Sequence, residues 1–142
     1  MENYTVIYNI FSNPSDWNSI LEIALDLADK FSIVYSDEEY NEENPLDTGK
    51  SDFFQLRNLV VEPWPNMAGI NLYAGILDDS SKELIAKYMH SEAERDGYSL
   101  WNFSLYKGDV ELINVADFNV GVINLDSDLV RSLKEKNTNF SY

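Results

Sequence analysis

Two short stretches and one histidine hold most of the residues that could do chemistry. DEEYNEENPLDTGK, residues 37–50, carries six carboxylates and one lysine. Asp37, Glu39 and Asn41 fall at the first, third and fifth places of an EF-hand calcium loop. The sixth place is Glu42, where the sharp turn takes glycine, and the twelfth is Thr48, where a bidentate Glu belongs. Specific calcium binding is therefore not expected. Gly49-Lys50-Ser51 lacks the upstream glycine of a phosphate-binding loop. His90 is the single histidine, and Glu94 follows it by one helical turn. Two such ligands fall short of a zinc site, and a solvated i,i+4 contact is the plainer expectation. There is no cysteine, so any His-paired nucleophile would depend on His90 alone. Paired carboxylates do acid–base work only in a cleft that separates their pKa values, and crowded loop acids have no such cleft assured. Asp78, Asp79, Asp126 and Asp128 read more simply as acids near helix N-termini, where the dipole favours them. No catalytic residue, cofactor or metal site is expected.

Charge is the strongest signal. The 142 residues hold 25 acids against 10 Lys and Arg, a net charge of −15. The imbalance is concentrated before residue 65, where 13 acids face 3 bases. Like charge at this density repels nucleic acid, which proteins hold mainly through Lys and Arg on phosphate. It disfavours anionic membranes in the same way. It favours a cationic partner, through a faster encounter and better discrimination. Solubility alone is the competing explanation. Fifteen asparagines stand beside only seven lysines. A coding bias that enriches one would be expected to enrich the other, so the low positive charge reads as more than drift.

The elements that must position these groups follow from periodicity. Residues 4–12 are rich in β-branched and aromatic side chains and read as a strand. A helix is expected from about 14 to 30, capped by Asn13 with Pro14 in its first turn. Its apolar stripe is Trp17, Ile20, Leu21, Ala24 and Ala28, continuing to Phe31. Residues 31–35 return to strand. An acidic loop is expected over 37–52. Residues 53–62 and 68–77 read as a hairpin around PWPN, with Ala68, Ile70, Leu72, Ala74 and Ile76 on one face and Asn71 and Tyr73 on the other. A second helix opens at Ser80 and Glu83, spaced as a capping box, and ends at Gly97. Gly108-Asp109 marks a second hairpin, residues 118–125 form another strand, and a short helix starts at Asp126 or Ser127. The tail frays.

The fold class expected is α+β in one domain over 1–142. A mainly antiparallel sheet of about six to seven strands carries two main helices on one face, with a short C-terminal helix. No stretch approaches the roughly 20 apolar residues of a membrane span. The first residues lack a basic n-region, so no signal peptide is expected and the cytoplasm is the default location.

These features point to a binding protein rather than an enzyme. Small acidic α+β proteins without catalytic motifs are typical of bacterial immunity proteins, which block a cognate toxin that is often a nuclease. The likeness lies in composition and size alone. The expected partner is a basic, nuclease-like protein, with no direct contact to nucleic acid or membrane. Asp37, Glu38, Glu39, Glu42, Glu43 and Asp47 would occupy its phosphate-binding surface, and Tyr40 and Trp64 would supply apolar anchoring. Trp64 sits between two prolines at a tip, with the ring either projecting or folded onto the sheet edge. One alternative is a phage-type inhibitor that mimics DNA, which needs acids spaced along an elongated face. Another is a small-ligand protein or enzyme whose pocket holds Asn71, Asn102 or Asn114.

Overall fold

The computed structural model describes residues 4–7, 14–36, 47, 49–56, 59–64, 68–89, 102–116 and 120–124. Ten elements follow one another in chain order. They are β1 (Tyr4–Ile7), α1 (Pro14–Leu27), β2 (Lys30–Ser36), α2 (Lys50–Phe53), β3 (Val60–Pro63), β4 (Ile70–Ile76), α3 (Asp79–Met89), β5 (Phe103–Lys107), β6 (Val110–Ala116) and β7 (Val120–Asn124). The strands form one sheet in the order β1-β7-β6-β5-β2-β4-β3, and every neighbouring pair is antiparallel. This is the α+β architecture expected. The expected C-terminal helix, the tail, His90, the second helix beyond Met89 and the strand beyond Ile7 lie outside the described residues.

β2 is central and pairs on both sides, with β4 and with β5. Phe31, Ile33 and Tyr35 point one way, and all three are buried with the helices in one apolar cluster. α1 supplies Trp17, Ile20, Leu21, Ile23 and Ala24, while α3 supplies Ile85 and Met89. The stripe on α1 is the one its spacing dictates, with Glu22 and Asp26 exposed on the other side. Trp17 Nε1–H donates to the Met89 carbonyl at 2.6 Å, which ties α1 to the end of α3 and satisfies the one polar atom of a buried indole.

Several boundaries differ from expectation, each for a visible reason. α1 stops at Leu27 because the sheet takes the backbone that follows. The Asp29 N–H donates to the Tyr106 carbonyl at 2.9 Å, and Lys30 already pairs with Ile76 and Tyr106. Residues 50–53 form a helical turn rather than loop, and Phe53 is not in a strand. Gly49 has φ 78°, which favours glycine, and the turn directs the Phe53 ring to 5.9 Å from Phe31 and 6.3 Å from Tyr88. Core packing overrides the strand propensity of adjacent phenylalanines. α3 begins earlier than the Ser80–Glu83 spacing suggests. The Ser81 N–H donates to Asp78 Oδ1 at 3.0 Å and the Asp78 N–H donates to Ser81 Oγ at 2.9 Å. That reciprocal pair caps the helix.

The faces of β4 are the main surprise. Its row Ile70, Leu72, Ala74 and Ile76 looks like the natural core face. Register decides otherwise. Ile33 pairs with Tyr73 and Phe31 with Gly75, so Tyr73 turns toward the helices and Ile76 is left 74% exposed. A one-residue offset exchanges the two faces of a strand, and β2 leaves β4 no choice. Gly75 makes the arrangement possible, since a Cβ there would lie 3.0 Å from Phe31 Cε1 and 3.1 Å from Leu59 Cδ2. Pro63 lies in edge strand β3. The Trp64 N–H donates to the Ile70 carbonyl, so Glu62 and Val60 share the side turned to β4 and Pro63 has its missing donor on the free edge. The Gly108 turn joins β5 and β6 as expected, with φ 60°. The register shifts after Leu105, so Leu112 is an extra residue on β6.

Gly75→Val is expected to lower stability by about 1–3 kcal/mol through overpacking against Phe31 and Leu59. Urea unfolding measures it, and Gly75→Ala should cost less.

Candidate functional site

Three clusters of polar side chains stand out on this scaffold. The first is at the foot of the acidic stretch. The chain enters the stretch after Ser36, the last residue of β2, and re-enters the described structure at Asp47. Lys50, in the first turn of α2, reaches both points. Its Nζ lies 3.7 Å from Asp47 Oδ1 and donates to Ser36 Oγ at 3.5 Å. It also lies 5.6 Å from the Phe54 ring centroid. Lys50 and Asp47 are each only 2% exposed. Residues 37–46 between these points hold five acids and no base.

Asp47 therefore departs from the role expected for it. It is not an exposed partner of the other loop acids but half of a buried pair that fixes the end of their segment. Burial of a charged pair is sustained by mutual attraction in a poorly screened setting. Asp37, Glu38, Glu39, Tyr40, Glu42 and Glu43 lie outside the described residues. So do the calcium-like positions 37, 39 and 41.

The second cluster ties α2 to α3. Asp52 Oδ2 accepts from Lys87 Nζ at 3.0 Å and from the Tyr88 hydroxyl. The hydrogen bond from Tyr88, then that from Lys87, holds the Asp52 carboxyl below its usual value. Burial first, and then the Asp52 carboxylate, pushes the Tyr88 phenol up to about 12. The Asp52 bond likewise raises Lys87. Both Asp52 and Lys87 are partly solvated, and the cluster acts as a tie between elements.

The third cluster lies on the face of the sheet turned away from the helices. Ser32, Ser104, Tyr106, Asn114 and Asn124 belong to this face by register. Asn114 Nδ2 donates to Asn102 Oδ1 and Ser104 Oγ, both at 2.9 Å, and to the Phe103 carbonyl at 3.1 Å. Ser32 Oγ and Tyr106 Oη are 3.1 Å apart. Of the three asparagines proposed for a pocket, Asn102 and Asn114 thus meet in one network. Asn71 pairs with Tyr35 on the opposite face.

Beside this network the face opens into a groove of about 660 Å³. Leu72, Ala74 and Ile76 of β4 form its floor with Val60 of β3. Glu62 stands on one wall, and Asp29 and Asp109 on the other side with Lys30 and Tyr106. Both Asp29 carboxylate oxygens accept the Gly108 N–H, at 3.0 and 3.2 Å. Lys30 Nζ lies 5.1 Å from the Tyr106 ring centroid, a cation–π contact. A smaller hollow lined by Glu62, Pro63, Trp64 and Leu72 adjoins it. Trp64 is half-buried, between the projecting and folded-back alternatives, and borders a concave surface.

Sequence reasoning did not find this groove. Its floor was visible as the alternating row on β4, but not as a row left uncovered. The usable signal was Tyr73 and Gly75 in one strand, a large ring and a gap for another on the same face.

Among the described residues no three His, Asp or Glu side chains are grouped to hold a metal ion, and no helix is long and apolar enough to cross a membrane. Comparisons with protein-family models, curated proteins and solved structures each returned no match.

Two outcomes check these assignments. Lys50→Met should destabilise by about 3–5 kcal/mol by leaving a buried carboxylate without its cation. The Asp47→Asn/Lys50→Met double variant should recover part of that loss in urea unfolding. The Asp52 cluster predicts a pH signature. A carboxyl lowered on folding stabilises fully above its unfolded value of 3.8 and loses that contribution as pH falls through its lower folded value. A phenol raised from 10 to about 12 stabilises fully below pH 10 and loses that contribution as pH rises toward 12. Asp52→Asn should cost roughly 1 kcal/mol at pH 7, a charged hydrogen bond discounted for solvent screening. The gap to wild type should close in strong acid.

Proposed function

We propose that the chain is an acidic binding protein that neutralises a cationic protein partner, as an immunity protein does for a nuclease-like toxin. The observation that carries this reading is the placement of charge. The net charge is −15, and five acids without a base occupy residues 37–46, between Ser36 and Asp47, which Lys50 contacts. A nuclease site is basic because it holds phosphate. Carboxylates gathered in one short stretch of sequence complement such a site together. Glu38, Glu39, Glu42 and Glu43 supply the attraction, with Asp37 beside them, and Tyr40 and Trp64 supply the apolar contact that charge alone does not. Asp47 takes the supporting role described above.

A small-ligand protein is the second reading. The groove volume of about 660 Å³ falls within the range of ligand sites, roughly 300–1,000 Å³. Its exposed floor favours a surface contact over an enclosed ligand.

Recombinant basic proteins encoded beside the gene are the first candidates to test. The expected result is a 1:1 complex that abolishes the partner's activity. Changing Glu38, Glu39, Glu42 and Glu43 together to Lys should slow association at low salt by roughly tenfold or more. An unchanged association rate in that variant would remove the loop from the mechanism.

A further inference from the structure

The groove lies on the face of the sheet turned from α1, α2 and α3, beside buried Ser32, Val34 and Ser104. Its floor is apolar and open, with Ile76 74% and Val60 60% exposed. Leu72 and Ala74 beside them are half-buried. Its described lining carries three carboxylates, Asp29, Glu62 and Asp109, against one ammonium, Lys30. Lys30 lies over the Tyr106 ring and Asp29 is engaged by the Gly108 N–H. Glu62 and Asp109 therefore stand as the acids on opposite sides of an apolar floor. The adjoining hollow shares Glu62 and Leu72 and extends this surface to Trp64. From β5 to β3 the sheet advances three strand spacings, about 14 Å, the reach of roughly four extended residues.

We propose that this groove seats a basic segment of a protein partner, with an arginine side chain as its central contact. An arginine stem is apolar and its head is cationic. Laid along Ala74 and Leu72, it would bring the guanidinium to the Glu62 carboxylate, which pairs with Leu72 and is a bidentate acceptor. Trp64 at one end offers a ring face on which a guanidinium stacks, while the Tyr106 ring at the other already carries Lys30. An uncharged apolar partner would leave the flanking carboxylates without gain, and an acidic one would be repelled. The inference rests on the reading of the chain as the partner of a cationic protein, but it concerns a surface separate in sequence from the 37–46 segment.

The test uses the full chain, labelled with ¹⁵N, titrated with acetyl-Gly-Arg-Leu-Arg-Gly-amide at low salt. The expected result is amide shifts centred on residues 60–62, 72–76 and 106–109. They should weaken at least tenfold in Glu62→Lys, with Asp109→Asn as a milder second variant. The same shifts should persist in the chain carrying Lys at 38, 39, 42 and 43. The matched peptide with Gln for Arg should bind far more weakly. Shifts scattered over the acidic surface, or equal binding of the Gln peptide, would overturn the proposal. So would butylguanidinium binding as tightly as the peptide, which would mark a small-molecule site. A chain that binds its basic partner while the arginine peptide leaves the groove untouched would overturn this inference and spare the reading it rests on. Arginine-peptide shifts in the groove of a chain for which no basic protein forms a complex would support it and count against that reading.

Discussion

Everything in this fold depends on burying the Phe31, Ile33 and Tyr35 face of β2 beneath three helices. β2 is the central partner of β4 and β5, so its choice of face is passed through the ladder to both. Tyr73, Phe103, Leu105, Ile113, Val115 and Ile123 are drawn to the same side. The helices are placed by that surface, with the Trp17 indole locking α1 to α3. The choice has a local requirement at Gly75, where only the absence of a side chain lets the Phe31 ring lie over β4.

The same constraint determines what is left over. With one face committed to the core, the row Leu72, Ala74 and Ile76 is turned outward beside Ser32 and Tyr106. An antiparallel sheet can leave one face partly open to water, and here the opening is bordered by acids. Lys50 makes a comparable link between core and surface. Its ammonium is buried against Ser36 and Asp47, the described residues on either side of the most acidic stretch of the sequence. Stability and charge placement therefore meet at one residue.

Much of this was legible in the sequence where one periodicity ruled without competition. The stripe of α1, the Gly108-Asp109 hairpin and the strand alternations are set by local geometry. In two places tertiary pairing outranked a local signal, and in two others one local contact displaced another. Phe53 and Phe54 have strand propensity, yet Phe53 sits in a helical turn because the core needs its ring. The apolar row of β4 is the longer one, yet register with β2 turns it outward. Ser80 and Glu83 have capping-box spacing, but Asp78 and Ser81 bond reciprocally two residues earlier. Asp47 looked like one more loop acid, and only its contact with Lys50 distinguishes it. The groove needs four strands and a turn brought together from distant parts of the sequence, so no local pattern announces it.

The central claim is that the negative charge has a cationic protein as its counterpart, rather than serving solubility alone. The dependence of the association rate on salt, for the wild-type chain and its basic partner, tests this most directly. Steering by exposed charge is screened over about 8 Å at physiological ionic strength. The account predicts an association rate that falls steeply from low to high salt while the dissociation rate changes little. An association rate indifferent to salt would contradict it and leave the charge with no role in recognition.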